Sequence, residues 1–142
     1  MEIKSYSTLP SQARYIREEV FVKEQGFREE FDSIDNISTH IVMTDGDKPV
    51  AVGRFYCKEN TTGEKEYFIG RLAVMKEYRG KGAGGAVIRE AERLIKEQGG
   101  SCVLLHSQCR AAEFYEKQGY TQYGDMDYDE DCPHIWMKKQ LL

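Results

Sequence analysis

With 142 residues, 40% of them hydrophobic and 31% charged, the chain has ordinary globular composition and enough length for one domain core, over 1–142, but not for two. A formal net charge of −4 with Lys and Arg spread along the chain argues against a nucleic-acid binder, whose basic residues cluster on one face, and leaves room only for a local basic site. No apolar run nears the ~20 residues of a membrane span, MEIKSYSTLP lacks an apolar leader core, and Cys57, Cys102, Cys109 and Cys132 show neither CxxC nor zinc-finger spacing; the expectation is a cytoplasmic protein with free thiols, no metal and no membrane partner.

In chain order, residues 3–6 read as a short strand. Thr8 is a plausible N-cap, after which Ala13, Ile16 and Val20 fall at helical spacing and Gly26 is a stop. Residues 27–38 are acidic and irregular. Residues 40–43 and 49–57 read as strands joined by the Asp45-Gly46-Asp47 turn, and 67–74 is the most strand-like run in the chain. The clearest helix follows, with Ala83, Ala86, Val87, Ala91, Leu94 and Ile95 on one face and Gly99-Gly100 at its end. Residues 102–105 form a compact apolar strand. A short helix over 111–118 ends at Gly119, with Tyr120 packing back beneath it, and two last strands near 120–123 and 135–138 flank an acidic loop at 125–131. This order specifies a mixed α/β fold with helices against one sheet.

The informative segment runs from Leu72 to Gly85: a strand enters a basic, glycine-rich turn that opens the long helix. A helix start leaves backbone N–H groups unpaired and carries partial positive charge. Gly80, Gly82 and Gly84 let the backbone approach a ligand closely, and Arg79 and Lys81 add charge, so a phosphate or pyrophosphate is the favoured occupant. A Walker A loop is excluded, because no Lys-Ser or Lys-Thr follows the glycines. Gly80, Gly82 and Gly85 do satisfy GxGxxG, but a dinucleotide fold wants an acid after the next strand, and that strand ends Leu104-Leu105-His106-Ser107. A glycine-rich start serving packing alone is the plain alternative.

Arg79-Gly80-Lys81-Gly82-Ala83-Gly84 resembles the [QR]xxGx[GA] signature of the GNAT superfamily of N-acetyltransferases. Residues 70–74 are similar to the family's strand before the turn, and residues 111–120 to its FYxxxGF/Y helix. Residues 19–25 and 133–137 resemble the small ElaA-like or YjcF-like branch. The resemblance covers nearly the whole chain in order. It implies a mostly antiparallel central sheet with helices on both sides, and a pyrophosphate of coenzyme A on Arg79, Gly80, Lys81, Gly82, Ala83 and Gly84. It also implies pantetheine along the backbone of Leu72, Ala73 and Val74, with the Val74 amide as a donor to the developing oxyanion.

The reaction so implied is direct transfer of acetyl from acetyl-coenzyme A to a primary amine of a small molecule or peptide. Tyr115 stands where the family often places an acid for the departing thiolate; ignoring the resemblance, it reads as a core aromatic. The proton acceptor is drawn from Glu24, Glu30, Asp32, His40 and His134, with Glu24 and His134 ranked first and His40 read as structural. Gln108 is placed to touch pantetheine or to face solvent. The acidic segment before Pro133 favours a cationic acceptor through local potential, or is a solvated loop. Rival readings are a coenzyme A-binding module without catalysis and a protein-protein adaptor; a homodimer is left open.

Overall fold

The computed structural model describes residues 1–141. Seven strands, β1 (Glu2–Tyr6), β2 (Thr39–Asp45), β3 (Lys48–Glu59), β4 (Lys65–Val74), β5 (Cys102–Gln108), β6 (Thr121–Asp129) and β7 (Cys132–Gln140), form one sheet in the order β1-β2-β3-β4-β5-β7-β6. Every neighbouring pair is antiparallel except β4 and β5. These two are parallel because helix α2 (Ala83–Glu97) carries the chain across between them, as a parallel connection requires.

Period-two alternation sends successive residues to opposite faces. Ile41 and Met43 turn to one face and pack with Val87, Ile88, Ala91 and Ile95 of α2. Val42 turns to the other, with Val52 and Ala73, against Ala13 and Ile16 of helix α1 (Ser11–Arg17) and Val20 and Phe21 beyond it. Helix α3 (Ala112–Lys117) joins the α2 face through Phe114 and Tyr115. The sheet is therefore mostly antiparallel with helices on both sides, as the resemblance implied.

Three local expectations change. Thr8 does not cap α1: Pro10 is the N-cap residue and no side chain caps this end. Proline's fixed φ, here −79°, suits the extended residue before a helix. The helix then continues as a π-helical segment, Glu18–Glu24, before Gly26 ends it at φ 80°. Within 27–38 a 3-10 helix, Ser33–Ile37, is closed by a capping box between Asp32 and Asp35. The acidic stretch at 125–131 is not a loop. Its first five residues extend β6, and only Glu130 and Asp131, both at positive φ, make the hairpin turn. β6 is an exposed sheet edge, where charged side chains are tolerated and useful.

The site is positioned by two irregularities. β4 and β5 pair only at Tyr67–Val103 and Phe68–Leu104; toward Val74 and Gln108 the ladder ends and the strands part. On its other side β4 bulges, setting Arg71 and Leu72 against the single residue Gly53, with Arg71 at φ 51°. A bulge bends and twists its strand, which turns the end of β4 out of the plane shared with β5.

Candidate active site

β4 leaves the sheet at Val74, and after a 3-10 turn at Lys76–Tyr78 the chain reaches the glycines. Gly80 and Gly82 have φ of 78° and 85°, and nothing stands within 4 Å of where a Cβ would be. A side chain there is strained by the backbone and would project into the space a ligand needs. Gly82 is the N-cap of α2, no side chain caps it, and the first helical bond closes from the Ala86 N–H to the Gly82 carbonyl at 3.1 Å. The amides of Ala83, Gly84 and Gly85 therefore face outward without a helical acceptor. A Cβ on Gly84 would lie 3.2 Å from the Phe114 ring, so glycine here also lets α3 close on α2. Three amides without helical acceptors at an uncapped helix start suit an anion.

The two cations of the turn differ in their state. Lys81 extends over the Tyr78 ring at 5.8 Å. Arg79 donates to the Val74 carbonyl at 2.9 Å and forms a two-pronged ion pair with Glu24 at 2.7 and 2.8 Å. The hydrogen bond from Arg79 holds the Glu24 carboxyl below its usual range. Glu24 thus stands at the glycine end of the cleft as an ion-pair partner. Glu24 is the last residue of the π-helical segment, whose end brings it to Arg79.

From this turn a continuous cleft follows the parted strands. Its first section, about 430 Å³, is lined by Leu72, Ala73, Val74, the turn and Tyr115. A narrower middle section of about 220 Å³ shares Leu72 and Tyr115 with it and adds Gln108 and His134. His134 also lines the third, an outer chamber of about 770 Å³ over β3, β4 and β7. Tyr115 stands at the first junction and His134 at the second.

Tyr115 packs edge-on against Phe114 and Tyr120, and burial raises its phenol well above the ordinary tyrosine value. His134 is 6% exposed. Its Nδ1 lies 2.9 Å from the Cys132 carbonyl, which can only accept, so Nδ1 carries the proton and Nε2 presents a lone pair when the ring is neutral. Burial lowers the His134 pKa. Gln108, the last residue of β5, donates to Gln25 at 2.8 Å and accepts from Arg110 at 2.6 Å, bridging the wall of the middle section.

The remaining candidates belong to a buried ionic network under the outer chamber. Arg17, fully buried, binds Glu30 at 2.8 Å and Asp35 at 2.8 Å. Arg54 binds Asp32 at 2.7 Å and Asp35 at 2.8 Å, and Arg71 binds Glu30 at 3.0 Å and Asp32 at 3.3 Å. His40, fully buried, donates through Nε2 to the Asp35 carbonyl at 3.0 Å. Glu30 and Asp32 are thereby committed to arginines, and His40 is structural in its contacts.

Sequence reading passed over one pair: His106 Nε2 lies 2.6 Å from Asp127 Oδ1, and the His106 ring stands 4.6 Å from both His134 and Trp136. Even-numbered residues of β5 share the less buried face, so His106 and Gln108 two apart were a legible signal. Asp127 was hidden by reading its segment as a loop. Among the described residues no three His, Cys, Asp or Glu side chains gather as a metal site, and no helix is long and apolar enough to cross a membrane.

A sheet parted beside a glycine-rich helix start is the architecture of the acyl-CoA N-acyltransferases. The Acetyltransferase (GNAT) domain profile matches residues 9–141. The chain is 40% identical over 130 residues, 89% of each sequence, to the Bacillus subtilis protein named uncharacterized N-acetyltransferase YjcF. Among solved structures, Escherichia coli ElaA superposes with a TM-score of 0.83 at 26% identity, covering 98% of this chain and 99% of that one. An aminoglycoside 6'-N-acetyltransferase complexed with coenzyme A shares the fold, with a TM-score of 0.77 at 17% identity over 99% of this chain and 97% of that one. The chain belongs to the GNAT acetyltransferase family, and with it to the acyltransferases.

Proposed function

We propose that this chain transfers acetyl from acetyl-coenzyme A directly to a primary amine. The observation that carries the reading is the order of groups along one cleft: uncapped helix start, parted strand edge, Tyr115, then His134. Bound coenzyme would supply the activated acetyl thioester. The amides of Ala83, Gly84 and Gly85, with Lys81, hold its diphosphate. The backbone of Leu72, Ala73 and Val74 aligns the pantetheine arm and offers an N–H to the carbonyl oxygen as it gains charge.

His134 Nε2 takes the proton from the attacking amine nitrogen as the C–N bond forms. Tyr115 gives its phenolic proton to sulfur as the C–S bond breaks, and both side chains recover their starting states by exchange with water. Glu24 is assigned a different role from the base expected of it. It holds Arg79 in place beside the turn.

The experiment is thiol release from acetyl-coenzyme A over a panel of small amines and peptides, run beside calorimetry with coenzyme A. Release should depend on the amine. Gly82→Asp, which puts a side chain at φ 85° and a negative charge beside the diphosphate, should lower coenzyme affinity at least tenfold. Tight binding with no release on any amine would instead make the chain a coenzyme-binding module; undiminished affinity in Gly82→Asp would remove the turn from the site.

A further inference from the structure

The outer chamber is far larger than an amine nitrogen needs, at about 770 Å³, and its lining is specific about charge. Three arginines face it, and each is committed: Arg28 to Glu130, Arg54 to Asp32 and Asp35, and Arg71 to Glu30 and Asp32. The carboxylates of Glu30, Asp32 and Glu130 are committed in the same pairs. Two lining carboxylates carry no side-chain hydrogen bond or ion pair among the described residues: Glu29 and Asp129, on two segments that Glu130 joins. An anionic acceptor would find no uncommitted arginine here. A cationic one finds two open carboxylates.

The floor is equally particular. Tyr56 of β3 stacks on Phe68 of β4 at 5.1 Å. Phe68 meets Trp136 of β7 edge-on at 6.2 Å, and Trp136 stacks on His106 of β5 at 4.6 Å. Rings from four strands thus make one aromatic surface, which attracts a cation electrostatically and covers an apolar chain. At the inner end of this floor stands His134, nine-tenths buried, its Nε2 without a hydrogen-bond partner among the described residues. That nitrogen marks where the reacting amine must come; Glu29 and Asp129 line the middle section and the outer chamber with it, and the rings of Tyr56, Phe68 and Trp136 line the outer chamber.

The geometry points to an acceptor that carries two amines: one acetylated at His134, the other held as an ammonium by Glu29 and Asp129, with the apolar chain that joins them lying beside the aromatic floor. The substrate class is the small diamines and longer polyamines. This assignment rests on the acetyl-transfer reading for the role of the inner amine. The charge preference of the chamber is measurable apart from turnover.

Calorimetry on the full chain loaded with coenzyme A compares an α,ω-diamine with the amino alcohol and the amino acid of equal chain length. The diamine should bind about tenfold tighter than the amino alcohol, as two partly screened carboxylates can provide, and the amino acid should bind weakest. The paired substitution Glu29→Gln and Asp129→Asn, which keeps side-chain volume and leaves the coenzyme turn intact, should bring the diamine down to the amino alcohol. Equal binding of diamine and amino alcohol, or a diamine advantage that survives the paired substitution, overturns the assignment. If none of the three releases thiol while the diamine advantage holds and vanishes in the double variant, acetyl transfer falls and the cation site stands.

Discussion

Tyr115 and His134 show one physical effect used in two directions. Burial disfavours charge on either side chain, so it raises the tyrosine and lowers the histidine. Each is thereby kept neutral at ordinary pH, the phenol with a proton to give and the imidazole with a lone pair to receive one. Tyr115→Phe should reduce turnover by about a hundredfold with coenzyme affinity little changed; unchanged turnover on a working amine would remove the phenol from the reaction. For His134 the sign is fixed by its role as a base. Because burial lowers its pKa from the usual 6.5, kcat/KM should show a limb rising with pH and centred below 6.5, separate from the later rise set by deprotonation of the amine itself. His134→Gln should abolish that limb, whereas Glu24→Gln should leave it in place. A limb that disappears with Glu24 instead would reverse the two assignments. Glu24 and His134 could not be separated in the sequence, since neither spacing nor residue type records that Arg79, 55 positions away, claims the carboxylate.

At the scale of elements, what could be read early was local. The glycine turn and the helix behind it follow from residues adjacent in the chain, and the structure contains both. The parting of β4 from β5 was not visible, because it depends on a bulge opposite Gly53 and on a ladder that ends after two residue pairs. The β6–β7 hairpin was misread for a related reason: Asp-rich stretches lack strand propensity, and only the exposed edge position makes one acceptable. Its tip also does something no local pattern discloses. Glu130, at φ 47°, accepts hydrogen bonds from the amides of Arg28 and Glu29 at 2.9 Å each and from the Arg28 guanidinium at 3.1 Å. It ties the hairpin to the segment that walls the outer chamber. Glu130→Ala should speed hydrogen exchange at the Arg28 and Glu29 amides while leaving exchange in β3 and β4 unchanged. Acceleration throughout the sheet would mean that the clasp supports the fold as a whole, and none at either amide would mean that it holds nothing.

Across the whole molecule, α1, the 3-10 helix, β3 and β4 are joined by the arginine–carboxylate network, and Asp35 is its central member, shared by Arg17 and Arg54. Burial works to raise the Asp35 pKa, but hydrogen bonds from Arg17 and Arg54 outweigh it and hold the carboxyl at about 2. Its folded value lies below the ordinary 3.8, so between those values the unfolded chain binds more protons. The stabilisation, roughly 2 kcal/mol, is therefore complete above pH 3.8 and lost as pH falls toward 2. His40 and His134, both lowered from 6.5 by burial, act in the same sense at higher pH: stability declines as pH drops below 6.5 and the unfolded chain takes up their protons. Glu30 opposes them, since burial pushes its carboxyl up against the pull of Arg71 and Arg17. Unfolding free energy from urea titrations should thus fall in two stages on acidification, one starting near 6.5 and one near 3.8. Asp35→Asn leaves two buried guanidinium groups short of a counter-charge and should cost about 3 kcal/mol at neutral pH. Since an asparagine cannot titrate, the wild-type and Asp35→Asn curves should draw together below pH 3.8. A gap that stays constant down to pH 2 would show that Asp35 contributes by shape and hydrogen bonding, not by its charge.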